Sequence, residues 1–387
     1  MTSPGLKSLL ACALGLALIP VARTAAGEHP TTGPGDDLFG APRVIALSFD
    51  ITPSELDAMK KGSHQYGRCT LREGGASYSD VGIRYKGNPA KEAASGKPDF
   101  NLELNQFVSG QKFHGLKRLL LLAGRNDPSY LSAPIGLELF RKAGVPAARS
   151  GFATVQINGR PLGLYVLVEG VDRDFIERHF DKSSGNLYDE GPHTDVDGKL
   201  EKYGGKNDTD QSDVDALAAA ARQNDSGRRW EQLQRLLDVD RFVTFAALEV
   251  FLWLNDSYTM KARKFRLYHD PSTDRMVFFP KNVEEVLHKT DGALFPEWKG
   301  VVARAILTCP EGEKRYRAAM AKLLGSVINP EEVQARGREL AAAIRPTIAG
   351  ENPEAALKFD AAVTHFFEAV AQRTAFVARQ LKAAQSN

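Results

Sequence analysis

The chain has 387 residues, of which 43% are hydrophobic and 25% charged, and its formal net charge is +2. This is an ordinary globular composition, and its charge balance gives no reason to expect nucleic acid or an anionic membrane as partner. Once a leader is removed, roughly 360 residues remain, enough for one large two-part domain or for two domains.

The leader comes first. Lys7 supplies a positive start, residues 9–19 are apolar, and Thr24-Ala25-Ala26 offers small residues for cleavage, so residues 1–26 read as a signal peptide. The apolar run is too short to read as a bilayer span. Leu9-Leu10-Ala11-Cys12 loosely resembles a lipoprotein box, but almost no apolar run precedes Cys12, which favours plain secretion. No later stretch reads as a transmembrane helix. A soluble protein exported by a bacterial route, to the periplasm, the cell surface or the medium, is expected. Cys69 and Cys309 remain after processing. They either pair, closing a loop of about 240 residues worth a few kcal/mol, or stay as two buried thiols.

Residues 27–42 are rich in Pro, Gly, Asp and Thr and read as a mobile leader. A strand is expected at 44–49. Thr52-Pro53-Ser54-Glu55 starts a short helix that ends near Lys61, with Thr52 as cap. Residues 81–85 form a strand running into Lys86-Gly87-Asn88, and 89–98 read as a loop. Alternation at 100–104 predicts a half-buried strand, and the four consecutive leucines 119–122 within 116–123 predict a fully buried one. A helix spans 129–143, stopped by Gly144 and Pro146. The Asn158-Gly159 pair between 152–157 and 161–169 signals a hairpin. A helix follows at 172–180.

Residues 183–210 are polar and Gly/Asp-rich and read as a hinge or linker. Beyond them the periodicity turns helical at 213–223, 229–237 and 241–254. A basic strand at 263–269, a turn at 270–274 and an apolar strand at 276–279 then form a hairpin. The last third is helical, with breaks near Pro310, Pro330 and Asn352. The fold class is therefore α+β: a strand-rich part at 43–182, a linker at 183–210 and a helical part at 211–387, with the hairpin region 255–287 facing the join. A cleft between two unlike parts is a common ligand site.

The chemistry-bearing residues collect around that join. Asp256 follows the long apolar helix, and Glu284 and Glu285 follow the hairpin; a fold can gather such acids around a metal-bound phosphate. Arg84 and Lys86 end a strand beside a glycine, suited to a phosphate or to a solvated basic turn. Glu169 ends an apolar strand, where it could orient a cation or simply face water. Gly-rich phosphate loops, a Ser-His-Asp signature and zinc-type His/Cys spacings are absent from the sequence.

Several segments together resemble the CotH kinase family, the spore-coat-protein-H-like secreted and surface kinases. These are VGIRYKGN at 81–88, 100–104 with Gly110-Gln111-Lys112, LELFRKAGVP at 137–146, VQINGRPLGLYVLVE at 155–169, and Asp256-Ser257-Tyr258 with 265–280. The resemblance covers about 44–287 plus a helical tail. It implies a two-lobed, atypical protein-kinase-like fold of CotH type, with a strand-rich N-lobe and a helical C-lobe. ATP with Mg²⁺ or Mn²⁺ would lie between the lobes, and phosphate would pass to Ser or Thr of an exported protein.

Carried over by residue, the resemblance makes Asp256 the catalytic carboxylate that positions or deprotonates the acceptor hydroxyl, and Glu284 the metal ligand. Arg84 and Lys86 become phosphate contacts, and Glu169 an orienting carboxylate. Three departures stand out. Lys261 occupies the place of a metal-binding Asn, Glu284 that of a metal-binding Asp, and Asn101 that of an N-lobe lysine. A lysine cannot ligate Mg²⁺, but it can meet phosphate as a point charge, and Lys86 could substitute for the missing cation. The alternatives are a pseudokinase that only binds nucleotide, and a non-catalytic exported binding or structural module.

Overall fold

The computed structural model describes residues 1–2, 33–62, 65–191, 194–203, 209–281 and 283–385; the apolar and cleavage segments of the expected signal peptide lie outside the described residues. Seven strands of the first half close into a barrel: β1 (Val44–Asp50), β2 (Gly67–Glu73), β3 (Ala76–Tyr85), β4 (Phe100–Glu103), β5 (Arg118–Leu122), β6 (Ser150–Ile157) and β7 (Arg160–Glu169). Their order is β1-β2-β3-β4-β5-β7-β6, and β1 closes the ring by pairing parallel with β6. Closure removes the exposed edges that an open sheet would present. The sequence pattern showed strands here but not their closure.

The barrel explains why some of its strands alternate in polarity and others do not. Leu119, Leu121, Tyr165 and Leu167 point into a barrel core with Phe49, Leu71 and Ile83. Their neighbours Leu122, Leu164, Val166 and Val168 point outward into a second core, shared with the helical half. Strands buried on both faces read as continuous apolar runs, as the four leucines do. The Asn158-Gly159 turn is as expected, both residues having positive φ (50° and 77°) and joining β6 to β7 at Ile157↔Arg160.

The second half is helical around Val239–Phe251, which is buried on nearly every face. The helices Pro310–Ser326, Pro330–Glu351 and Pro353–Gln385 begin at the breaks seen in sequence, each with proline in its first turn. A four-stranded sheet accompanies them: β8 (Leu187–Asp189), β9 (Glu201–Lys202), β10 (Phe265–Asp270) and β11 (Arg275–Pro280), in the order β11-β10-β8-β9. Mixed strands and helices make the fold α+β. Among the described residues no helix is long and apolar enough to cross a membrane.

Three expectations need correction. Residues 33–42 are not a loose leader: they hold the short helix Asp36–Phe39, the Gly35 N–H donates to the His114 carbonyl at 2.8 Å, and Arg149 binds Asp36. The segment 183–210 is not a plain linker, because β8 and β9 lie within it. Leu187 and Tyr188 pair with Tyr268 and Leu267, and so short a strand leaves no periodicity to read. Residues 89–98 contain the helix Pro89–Ala94, capped by Asn88, whose side chain accepts from the Lys91 N–H at 3.1 Å. Its Asn-Pro start was a readable signal. Of the two cysteine alternatives, the structure has both thiols free and buried, with burial pushing Cys69 up to about 12.

Candidate functional site

The site is built on the end of the helix Val239–Phe251. Arg373, fully buried and projecting from the final helix, donates to the carbonyls of Val250 (2.7 Å) and Phe251 (3.0 Å) and to that of Gly292. A cation at a helix C-terminus satisfies orphan carbonyls and meets the negative end of the dipole. Trp253, at φ 47°, then turns the chain toward Asn255 and Asp256.

One turn back, buried Glu249 accepts the N–H groups of Tyr258 (3.2 Å) and Thr259 (2.9 Å), which open the short helix Tyr258–Lys261. Burial pushes this carboxyl up to about 8, against the pull of those donors. So Asp256 lies between two fixed points, a capped helix end behind it and a carboxyl-anchored turn ahead.

The chain then folds back sharply. Ala262 and Lys264 are both left-handed, with φ 53° and 55°, a conformation that non-glycine residues adopt rarely. The Arg263 N–H donates to the Ser257 carbonyl at 3.3 Å, and the Lys264 N–H donates to Glu190. This double reversal directs three cations at one carboxylate. Lys261 Nζ lies 3.9 Å, Arg263 Nη1 3.5 Å and Lys264 Nζ 3.4 Å from Asp256 oxygens. Asp256 Oδ1 is itself buried and accepts no hydrogen bond.

The opposite wall comes from the hairpin and the barrel. After Pro280 the chain runs along the helix Ser132–Lys142, where Val283 packs against Gly136; a Cβ on that glycine would sit 2.4 Å from the valine methyl. This close approach sets where Glu284 emerges. From the barrel, Lys86 reaches across to form an ion pair with Glu284. Gly87, at φ 88°, provides the turn that follows β3. Burial alone would raise the Glu284 carboxyl, but Lys86, Lys264 and Arg125 outweigh it and hold the group below the usual range.

Asp256, Lys261 and Glu284 line one cavity of about 340 Å³, together with Arg263 and Lys264. Arg84, Lys86 and Asn101 line an adjoining cleft of about 580 Å³ between the barrel and the second sheet, and Arg263 borders both spaces. These six residues, Asp256, Lys261, Glu284, Arg84, Lys86 and Asn101, all singled out from sequence, thus fall in two neighbouring cavities. Glu169 does not join them. Its buried carboxylate binds Arg149 at 2.8 Å and is paired by Arg178 as well, so the cations it orients are two arginines outside both cavities. Burial pushes Glu169 up, and those arginines bring it below its ordinary value.

Sequence reasoning missed Glu249, Arg263, Lys264 and Glu190 as parts of the site. A glutamate in the middle of an apolar helix was a signal, since charged groups are buried only for a purpose. The basic run 261–264 was another.

Whether a divalent ion suits these residues can be judged from their charges. Mg²⁺ is usually held by one or two carboxylates plus substrate phosphates. Here Glu284 is occupied by Lys86, and Asp256 has three cations within 4 Å. Among the described residues no three His, Cys, Asp or Glu groups converge in a way that could hold a metal ion. The donor set does not fit a resident divalent cation.

Comparison with known proteins gives three findings. The family model for CotH kinase protein matches residues 83–378. The inner spore coat protein H of Bacillus subtilis (strain 168) is 21% identical over 290 residues, which is 70% of this chain and 78% of that protein. The crystal structure of a Helicobacter pylori proinflammatory kinase, CtkA, aligns over 74% of this chain and 95% of its own, at 11% identity and a TM-score of 0.31. With the family pattern running from β3 into the final helix, and so through both walls of the site, the chain belongs to the CotH kinase protein family.

Proposed function

We propose that this protein is an exported, two-lobed kinase homologue of the CotH type that binds ATP in the cleft between barrel and helical half. It transfers the terminal phosphoryl group to a Ser or Thr hydroxyl of an exported protein. The cleft volume, about 580 Å³, is of the size that holds small ligands. Lys86 and Arg84 contact phosphate from the barrel side. Asp256 positions the acceptor hydroxyl and takes its proton as the oxygen bonds to phosphorus and ADP leaves.

The observation that carries this reading is Asp256 itself, a carboxylate with a buried oxygen that accepts no hydrogen bond, lining a cavity next to the cleft. A structural carboxylate in such a place would have its acceptors filled. A second reading, nucleotide binding without transfer, is favoured by the cations crowded around that same group, which compete with an acceptor hydroxyl for the carboxylate.

Thermal unfolding with ATP tests the binding step. A one-site ligand at about 100 times its dissociation constant adds roughly 2.7 kcal/mol of stability. Asp256→Asn is expected to keep that stabilisation and lose phosphoryl transfer to a generic protein acceptor. Full transfer by the variant would overturn the role of Asp256. ATP stabilisation without transfer in the parent protein would select the second reading, and no stabilisation at all would leave a non-catalytic binding or structural module.

A further inference from the structure

The mismatch between the donor set and a divalent ion has a constructive side. We infer that Lys261, Arg263 and Lys264 supply the positive charge that a metal ion supplies in other kinase clefts, so that this protein grips its polyphosphate ligand without metal. The inference rests on the nucleotide reading for the identity of the ligand, but its geometry stands separately.

Three observations converge. First, the three cations are placed by backbone, not by chance sampling of long side chains. The left-handed residues Ala262 and Lys264, and the N–H bonds of Arg263 to Ser257 and of Lys264 to Glu190, fix the reversal that presents them together. Second, their donors are unspent. Asp256 is the carboxylate that each approaches, at 3.4–3.9 Å, and none of the three side chains donates a hydrogen bond among the described residues. An arginine carries five N–H donors and a lysine three, so the cluster has most of its capacity left for a polyanion.

Third, no spare negative charge is left at this centre. With Lys86 from the neighbouring cleft, four cations face Asp256 and Glu284. The other carboxyls nearby are engaged, and Glu190 accepts the Lys264 N–H. Glu285 is bound by the Asn126 amide at 2.7 Å, and Glu249 is fully buried with its carboxyl pushed up to about 8. A metal ion entering here would have to displace Lys86 from Glu284 and sit among like charges. A phosphate chain entering here meets charges of opposite sign. Because Arg263 borders both cavities, it is placed to touch phosphate in the cleft and to lead it toward Asp256.

The test is calorimetric titration of the full chain with ATP, and separately with inorganic tripolyphosphate, in EDTA and in excess Mg²⁺. Lys261→Gln, Arg263→Gln and Lys264→Gln are titrated alongside; all three positions are partly exposed, and unfolding midpoints without ligand verify that each variant folds. The expected result is ATP binding in EDTA at least as tight as in Mg²⁺, weakened about tenfold by each substitution, as befits loss of one charge-assisted phosphate contact. Binding that appears only with Mg²⁺, or is unmoved by all three substitutions, overturns the inference while leaving the nucleotide reading intact. If tripolyphosphate binds in EDTA and ATP does not, the nucleotide reading falls and the cation grip stands. If neither binds under either condition, both fall.

Discussion

At the scale of single residues, the unusual group is Glu249. Its ordinary value of 4.5 is raised to about 8 because burial disfavours the charged form. Between those two values the folded chain keeps a proton that the unfolded chain releases, so stability falls as pH rises from about 4.5 to about 8 and levels off above it. The slope is about 1.4 kcal/mol per pH unit for one proton. Glu249→Gln is expected to flatten this part of the profile in urea unfolding measured across the range. The amide also replaces one acceptor facing the Tyr258 or Thr259 N–H by a donor, so the variant starts from lower stability.

The same scale shows how much of the site was legible. Asp256 and Glu284 could be found from their places after the helix and the hairpin, Lys261 because resemblance fixed its position, and the structure gathers all three in one cavity. Glu169 could be found but not interpreted. A glutamate at a strand end looks the same in sequence whether it meets a lysine in a cleft or Arg149 and Arg178 outside it. The partners are distant in the chain, and no local rule names them. Arg263 and Lys264 needed one more fact, the left-handed backbone at Ala262 and Lys264, which nothing in their residue types announces.

At the scale of elements, the contact between the helix Ser132–Lys142 and the strip after β11 decides where Glu284 stands. Gly136→Ala would drive a Cβ to 2.4 Å from the Val283 methyl, in a place where Val283 is itself buried. Overpacking of this kind costs about 1–3 kcal/mol. The expected outcome is a lower denaturation midpoint and weaker ligand binding through the displaced Lys86–Glu284 pair. Adding Val283→Ala to the variant is expected to recover part of the binding, a coupling that a double-mutant cycle reads directly.

Element types were the most legible part of the fold. Long apolar periodicity identified the core helix, and the proline breaks fell at helix starts. Elements that depend on pairing partners were not legible. β2 is short and lacks a long apolar run, so it was missed although the Gly74-Gly75 turn after it is a hairpin signal; the exposed first half of β3 lacks an apolar face, and β8 has three residues. Closure of seven strands into a barrel is a property of the set, hidden from any one of them.

At the scale of the whole molecule there are two cores, one inside the barrel and one spanning its outer face and the helical half. The candidate site lies where they meet, and the last helix holds it from behind through Arg373. Arg373→Gln strips donors from the carbonyls of Val250, Phe251 and Gly292 in a fully buried place. A loss on the order of 3 kcal/mol is expected from the unsatisfied groups. Hydrogen exchange should rise at residues 252–258 while the strands of the barrel interior stay protected. Exchange rising equally everywhere would mean that the clamp is not local.

That clamp also sets an order in time. The barrel strands are all present once residue 169 has left the ribosome, and domains fold as units from the N-terminal side during synthesis. The helix end behind Asp256 is not capped until residue 373 follows. A nascent chain therefore passes through a stage in which the barrel can already be closed while the turn bearing Asp256 has no fixed seat. The turn bearing Asp256 is thus among the last parts of the chain to gain its support.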